Sequence, residues 1–234
     1  MTRMTPAQRH REKILAQQSE KKNASGNPEK GSAYEMMLVK LHADKRRLKD
    51  IQSIQTKATV KAEILPDYQP WVDGVLEGGQ GAQDEVLMNV LVWQIDVGNY
   101  AEALRIAEYA LEHDLVMPDQ YTRTLATLLL DEITAVLLKE KYETAESIEY
   151  ALTTLQKTEE ITASRDAPDQ ARAKLYRAYG NVLLAKIGDQ PLTPETVELA
   201  KKAEEYLEKA LNLDERSGVK STLNSLKKRL ELQS

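Results

Sequence analysis

QDEVLMNVLVWQIDVGNYAEALRIAEYALEH, residues 83–113, decides the fold class. Its first half places Val86, Leu87, Val90, Leu91, Trp93 and Ile95 on nearly every side of a 3.6-residue helix, the pattern of a buried helix. Gly98-Asn99 stops it, since glycine supplies the left-handed turn that ends helices. The second half returns with Ala103, Leu104, Ala107, Ala110 and Leu111 on one stripe. Outward from this pair no strand signal is met. The 234 residues hold only 10 Gly and 8 Pro and no Phe, against the turn-rich, aromatic-rich make-up of sandwiches and barrels. The chain reads as all-α.

Helical patterns continue to the end. Residues 119–139 carry Leu125, Leu128, Leu129, Ile133, Val136 and Leu137 as a core face, and residues 142–155 follow with Ala145 and Ala151. Residues 173–187 and 193–213 repeat a helix, a Gly188-Asp189 break and a second helix with Ala203, Tyr206, Leu207, Ala210 and Leu211. Residues 217–232 form a last helix. Trp93, Gly98, Tyr100 and the small Ala103, Ala107 and Ala110 resemble part of a tetratricopeptide-type helix–turn–helix. The spacing is irregular, so residues 83–234 are expected to form a helical array with tetratricopeptide-like pairs that binds a partner or self-assembles.

A net charge of -5 hides an asymmetry. Residues 1–61 hold 14 Lys+Arg against 6 Asp+Glu, a net +8, and residues 62–234 hold 18 against 31, a net -13. A basic arm on an acidic body points to a polyanion partner for the arm, a solvated tail being the plainer alternative. Residues 1–32 are polar and nearly free of apolar side chains, so they read as a disordered basic arm. Residues 33–65 read as one long amphipathic helix. Tyr34, Met37, Leu41, Leu48 and Ile51 form its stripe, the seam for a partner helix of this chain or another copy, and Lys40, Lys45, Arg46, Arg47, Lys49, Lys57 and Lys61 form its basic face. Residues 66–82, with Pro66, Pro70, Gly78, Gly79 and Gly81, read as a rigid connector followed by a hinge.

Little here supports catalysis. There is no Cys, which removes thiol chemistry and cysteine-ligated metals. Gly78, Gly79 and Gly81 lack the following Gly-Lys-Ser/Thr of a phosphate-binding loop. His10, His42 and His113 show no i, i+4 metal spacing. The pairs Asp84-Glu85, Asp131-Glu132 and Glu159-Glu160 could hold a cleavage metal only if they converged, and adjacent acids on helices are usually dipole partners or solvated charges. Trp71 and Trp93 have apolar neighbours and read as packing residues. No cofactor and no metal are expected. No apolar run approaches the roughly 18 residues of a membrane span, and residues 1–18 lack the apolar stretch of a signal peptide.

Several strings resemble the gpM-type small terminase subunits of peduovirus-like temperate tailed phages. They are Tyr34-Glu35-Met36-Met37-Leu38-Val39-Lys40-Leu41 with Asp44, Leu65-Pro66, Pro70-Trp71-Val72-Asp73-Gly74-Val75-Leu76, Gly79-Gln80-Gly81-Ala82-Gln83-Asp84, and residues 93–118. The resemblance spans residues 33–234 and is densest over 34–118. It implies a non-catalytic subunit in the cytoplasm of the infected host that recognises double-stranded phage DNA at the packaging site. That subunit delivers the DNA to the large ATPase and nuclease subunit and assembles as a homo-oligomer, a ring. Members are sometimes labelled endonuclease subunits, although no catalytic motif is visible here. No helix-turn-helix is evident in residues 33–65. A protein–protein adaptor, and less so a metal-dependent endonuclease subunit, are the competing readings.

Overall fold

The chain divides into two units, Met1–Thr122 and Arg123–Ser234. The computed structural model describes residues 4–24 and 33–232, which contain eleven α-helices and no strand. The first unit holds α1 (Pro6–Ala24), α2 (Ala33–Lys49), α3 (Ile54–Ile64), a 3-10 turn (Leu65–Asp67), α4 (Gln69–Gly78), α5 (Glu85–Asp96) and α6 (Tyr100–Glu112).

A helix apolar on all sides must lie at the centre of its unit, and α5 does: every side chain from Val86 to Ile95 is buried. Asp84 caps it with Oδ1, which accepts the Leu87 N–H at 2.9 Å, while Oδ2 accepts the Trp71 indole N–H at 2.9 Å. One carboxylate thereby fixes both the start of α5 and the ring that α4 contributes to the core. Gly98, at φ +77°, ends the helical run, and the buried Ala103, Ala107 and Ala110 let α6 lie close against α5.

Four expectations are corrected in this unit. Residues 1–32 are not wholly an unstructured arm. Thr5 and Gln8 form a reciprocal capping box (Thr5 N–H to Gln8 Oε1 2.8 Å, Gln8 N–H to Thr5 Oγ1 3.3 Å), and Pro6 starts α1. Residues 1–3 and 25–32 of that expected arm lie outside the described residues. The α1 helix crosses α4 at Gly74, where a Cβ would stand 2.4 Å from the Lys13 carbonyl oxygen and 2.5 Å from Ala16 Cβ. Glu77 of α4 ties down the same helix, accepting from Lys13 at 2.6 Å and Gln17 at 3.0 Å.

The single helix over 33–65 is two. Residues 50–53 leave the helix, and the Ser53 hydroxyl accepts the Thr56 N–H at 3.2 Å to start α3. The turn lets both apolar stripes, Met37, Leu41 and Leu48 on α2 and Val60 and Ile64 on α3, bury in one unit beside α5. Residues 66–82 are not a connector. Pro66 and Pro70 sit at the first turns of the 3-10 turn and of α4, where a missing N–H does no harm, and Trp71, Val72 and Val75 are core. The boundary expected at 82–83 falls instead at 122–123.

The second unit holds α7 (Leu125–Leu137), α8 (Ala145–Thr162), α9 (Asp169–Ile187), α10 (Pro194–Leu213) and α11 (Lys220–Glu231). Threonines start three of them: Thr124, Thr144 and Thr193 each accept the backbone N–H three residues on. The pair α9–α10 is the tightest. Gly180 sits against the fully buried Leu207, whose Cδ2 would lie 2.4 Å from an added Cβ, and Ala200, Ala203 and Ala210 line the same seam. Tyr179 and Tyr206 stack with ring centroids 4.2 Å apart, and Lys209 lies 5.1 Å from the Tyr206 ring centroid. The expectation of paired helices holds in this form.

Candidate nucleic-acid interface

The α2 helix has two long faces. Met37, Leu41, Asp44 and Leu48 point inward. Val39, His42, Lys45, Arg46 and Lys49 recur at the same helical period on another face and line a groove of about 710 Å³. Lys57 and Lys61 of α3 line it too, Asn89 and Trp93 of α5 contribute from the core side, and Gln120 and Tyr121 complete the lining. Six basic side chains, counting His42, thus gather in one concave surface.

Five of the seven cations expected to contact DNA meet there: Lys45, Arg46, Lys49, Lys57 and Lys61. Two are partly committed. Lys45 approaches Glu85 at 3.5 Å, and Lys61 pairs with Asp96. Among the described residues, Arg46, Lys49 and Lys57 have no carboxylate partner, and Arg46 and Lys49 are exposed. Charge at such a surface is available to a polyanion without first breaking an internal pair.

The remaining two expected contacts are placed elsewhere. Lys40 bridges Asp44 at 2.9 Å and Asp67 at 3.3 Å, and its ammonium lies 4.4 Å from the Tyr68 ring centroid. Asp44, 8% exposed, also accepts the Tyr68 hydroxyl at 2.7 Å. Burial, then the hydrogen bond to Asp44, pushes the Tyr68 hydroxyl far above its ordinary range, so it stays a donor. Lys40 is therefore the counter-ion of a buried polar knot. Arg47 reaches Glu63 at 3.5 Å and does not line the groove.

The expected oligomer seam is also corrected. Met37, Leu41 and Leu48 are 7%, 0% and 6% exposed within one chain, so the partner helices they pack against are its own. Ile51 is half-buried in the turn. Tyr34 stacks on Trp71 with centroids 6.0 Å apart and accepts the Glu85 N–H at 3.0 Å. Burial, with Asp84 nearby, pushes its hydroxyl up to about 12. The apolar side chains that α2 and α3 leave in solvent are others: Met36, Val39 and Ile54, 62%, 69% and 86% exposed.

Sequence reading missed His42, Asn89, Gln120 and Tyr121. His42 could have been found, since it lies three residues before Lys45 and seven before Lys49 on one helical stripe. Asn89 could not, because it is an amide inside an apolar helix, 1% exposed, with Nδ2 donating to the Glu85 carbonyl at 2.8 Å and Oδ1 lacking a partner.

The acidic pairs considered for metal chemistry do not meet. Asp84 is a cap and Glu85 faces Lys45. Asp131 is held by Arg123 at 3.1 Å and Lys174 at 2.9 Å, Glu132 by Arg123 at 3.0 Å, and Glu160 by Lys157 at 3.1 Å. For Asp131, burial pushes its carboxyl up, but the hydrogen bonds from Lys174 and Arg123 prevail and hold it below the ordinary carboxylate range. Among the described residues no three His, Asp or Glu side chains converge as a metal site requires, and no helix is long and apolar enough to cross a membrane.

The fold and groove define an all-α protein with a cationic concave face in its N-terminal unit. The chain belongs to the phage small terminase subunit family, whose profile matches residues 38–170, more than half its length. It is similar to the "Terminase, endonuclease subunit" of Escherichia phage P2, 39% identical over 227 residues, which cover 97% of this chain and 86% of that protein. It is also similar to the "Probable terminase, endonuclease subunit" of Haemophilus phage HP1, 27% identical over 104 residues, 44% of this chain and 37% of that one. No solved structure matches it. Its role therefore lies in phage DNA packaging.

Proposed function

We propose that this small terminase subunit binds duplex phage DNA at the packaging site through the α2–α3 groove and hands it to the large subunit in the host cytoplasm. The observation that carries the reading is the convergence of Arg46, Lys49 and Lys57, exposed or half-buried and without carboxylate partners among the described residues, with His42, Lys45 and Lys61 in one groove. Each phosphate neutralised releases counterions, so affinity falls with salt by about 0.9 log units per log unit of salt for each phosphate engaged. A homo-oligomer, as the family resemblance implies, multiplies the weak binding of single grooves through effective concentration. The second unit, whose residues 123–234 hold 17 Lys+Arg against 19 Asp+Glu, is the surface we assign to the large subunit.

The relatives' names carry an endonuclease label. The spread of this chain's acidic pairs over separate helices, each in its own cap or ion pair, supports assigning it recognition instead of cleavage.

Deleting residues 1–61 would be a poor test, because it strips Met37, Leu41, Leu48 and Val60 from the core. Neutralising Arg46, Lys49 and Lys57 to Ala leaves the core intact. Mobility shifts of a packaging-site duplex across salt concentrations are then expected to show weaker binding and a salt slope smaller by roughly 0.9 for each phosphate no longer neutralised. An unchanged slope sinks the groove assignment. Binding of the large subunit without any duplex binding would favour the adaptor reading.

A further inference from the structure

The floor of the α2–α3 groove carries chemistry that its cations leave unused. Asn89 and Trp93 stand one turn apart on α5, so they share a face, and both line the groove although they are only 1% and 4% exposed. An amide inside an otherwise apolar helix is costly unless both its ends are bonded. Asn89 has one end bonded: Nδ2 donates to the Glu85 carbonyl at 2.8 Å, while Oδ1 has no partner among the described residues. That bond fixes the sense of the amide, since turning it over would set two oxygens against each other. Trp93 is held by the Tyr68 ring, edge to face with centroids 5.7 Å apart, and its indole N–H has no acceptor among the described residues. The floor therefore offers an open acceptor and, one turn along, an open donor.

The rest of the cleft narrows the choice of ligand. Its volume, about 710 Å³, lies in the range of roughly 300–1,000 Å³ in which small-molecule sites fall. Arg46, Lys49 and Lys57, without carboxylate partners among the described residues, supply positive charge, and Tyr121 adds an aromatic ring to the lining. A ligand that satisfies all of this is anionic at one end, flat at the other, and carries a hydrogen-bond donor beside an acceptor on its flat edge. A nucleotide has that make-up. A base already paired and stacked in a duplex cannot enter, because the floor lies on the core side of α2 and α3.

We infer that the groove is also a site for a free adenine nucleoside triphosphate. The base amine donates to Asn89 Oδ1, the bare ring nitrogen next to it accepts the Trp93 indole N–H, and Arg46, Lys49 and Lys57 hold the phosphates. Adenine and cytosine are the bases whose amine lies beside an unprotonated ring nitrogen, and adenine, with two rings, fills more of the cleft. The inference does not depend on the DNA-binding reading, since it concerns the floor and is tested without duplex. Where duplex binds as proposed above, the two ligands share the same cations and exclude each other.

The test is isothermal titration calorimetry on the full-length protein with three probes: magnesium-free ATP, purine riboside triphosphate, which lacks only the amine, and inorganic tripolyphosphate. ATP is expected to bind once per chain and the other two at least tenfold more weakly, because each leaves Asn89 Oδ1 unpaired. Asn89→Ala removes that oxygen and puts the best helix former in its place, so its thermal midpoint should equal or exceed that of wild type while ATP affinity falls at least tenfold. Lys49→Ala with Lys57→Ala should weaken ATP and tripolyphosphate alike. The comparison of ATP with its amine-free analogue is made on wild type, so it holds whether or not the variants fold. A single-stranded dA trimer separates the two sources of an unpaired adenine: tighter binding of the trimer than of ATP overturns the free nucleotide. Equal affinity for ATP and tripolyphosphate, or for ATP and the amine-free analogue, also overturns the inference. If ATP does not bind but a packaging-site duplex does, the inference fails and the groove assignment stands.

Discussion

Gly74→Ala isolates what holds α1 to the rest of the first unit, because two opposing effects can both be sized. Gly74 lies inside α4, where alanine is the better helix former by about 1 kcal/mol. In open space the substitution would stabilise the protein by that amount. The space is not open. The new methyl would stand 2.4 Å from the Lys13 carbonyl oxygen and 2.5 Å from Ala16 Cβ, about 1 Å inside ordinary van der Waals separation, and neither neighbour is the end of a flexible side chain. Either α1 shifts away or the backbone strains, a cost of about 1–3 kcal/mol for overpacking of this kind. The clash is expected to prevail locally. Among the described residues α1 buries fully only Ala16 and Ser19, so it has little apolar area to lose on leaving, and its ties to Glu77 are partly exposed. Hydrogen exchange is the assay. Amides of α1 should lose protection by about tenfold while those of α5 keep theirs, with a thermal midpoint lowered by a few degrees at most. A variant with a raised midpoint and α1 protection intact would refute the close-crossing argument.

Three further outcomes are expected. Glu12→Gln should strengthen the docking of α1 at neutral pH by up to about 1 kcal/mol, because burial and then Asp67 push the Glu12 carboxyl up and one of its oxygens is buried without a partner. The sign follows from that direction: wild-type docking is strongest below the ordinary glutamate range and weakens as pH rises through the raised value, so the gain seen by hydrogen exchange should vanish in acid. Lys40→Ala should lower the urea midpoint by the equivalent of about 1–2 kcal/mol, since Asp44 and Asp67 lose their counter-ion, yet leave the salt slope of DNA binding unchanged. Gly98→Ala has room for its methyl but not the backbone, at φ +77°, and thermal melting should report a loss of about 1–2 kcal/mol.

The parts legible in the sequence are those set by local physics. The run 86–95, apolar but for Asn89 and Gln94, could only be a central helix, and Gly98-Asn99 could only end it. The capping box at Thr5, Pro6 and Gln8 is equally readable. It does not stand out because residues 6–24 have too few apolar side chains to suggest burial, and α1 in fact docks through a glycine crossing and polar ties to Glu77. The turn at 50–53 carries only a weak signal. Neither proline nor glycine marks it, and Asp50 and Ser53, poor formers of helix interiors, are too few to outweigh the apolar period that runs through 33–65. What breaks it is the gain from burying the stripes of both α2 and α3 in one unit, with Ser53 satisfying the freed N–H of Thr56.

The candidate site divides the same way. The sequence by itself determined that the protein is helical, that its net positive charge lies within residues 1–61, and that Lys40 to Lys61 is where that excess is densest. Composition and a 3.6-residue period are enough for this, because they depend on neighbours along the chain. Only the tertiary structure decided which of those cations are free. Asp67 and Tyr68 claim Lys40, Glu63 claims Arg47, and Met37, Leu41 and Leu48 are core and not a seam, because chain folding brings each of these partners together. What is left facing solvent is a groove, and a groove is a property of packed helices that no single helix carries in its sequence.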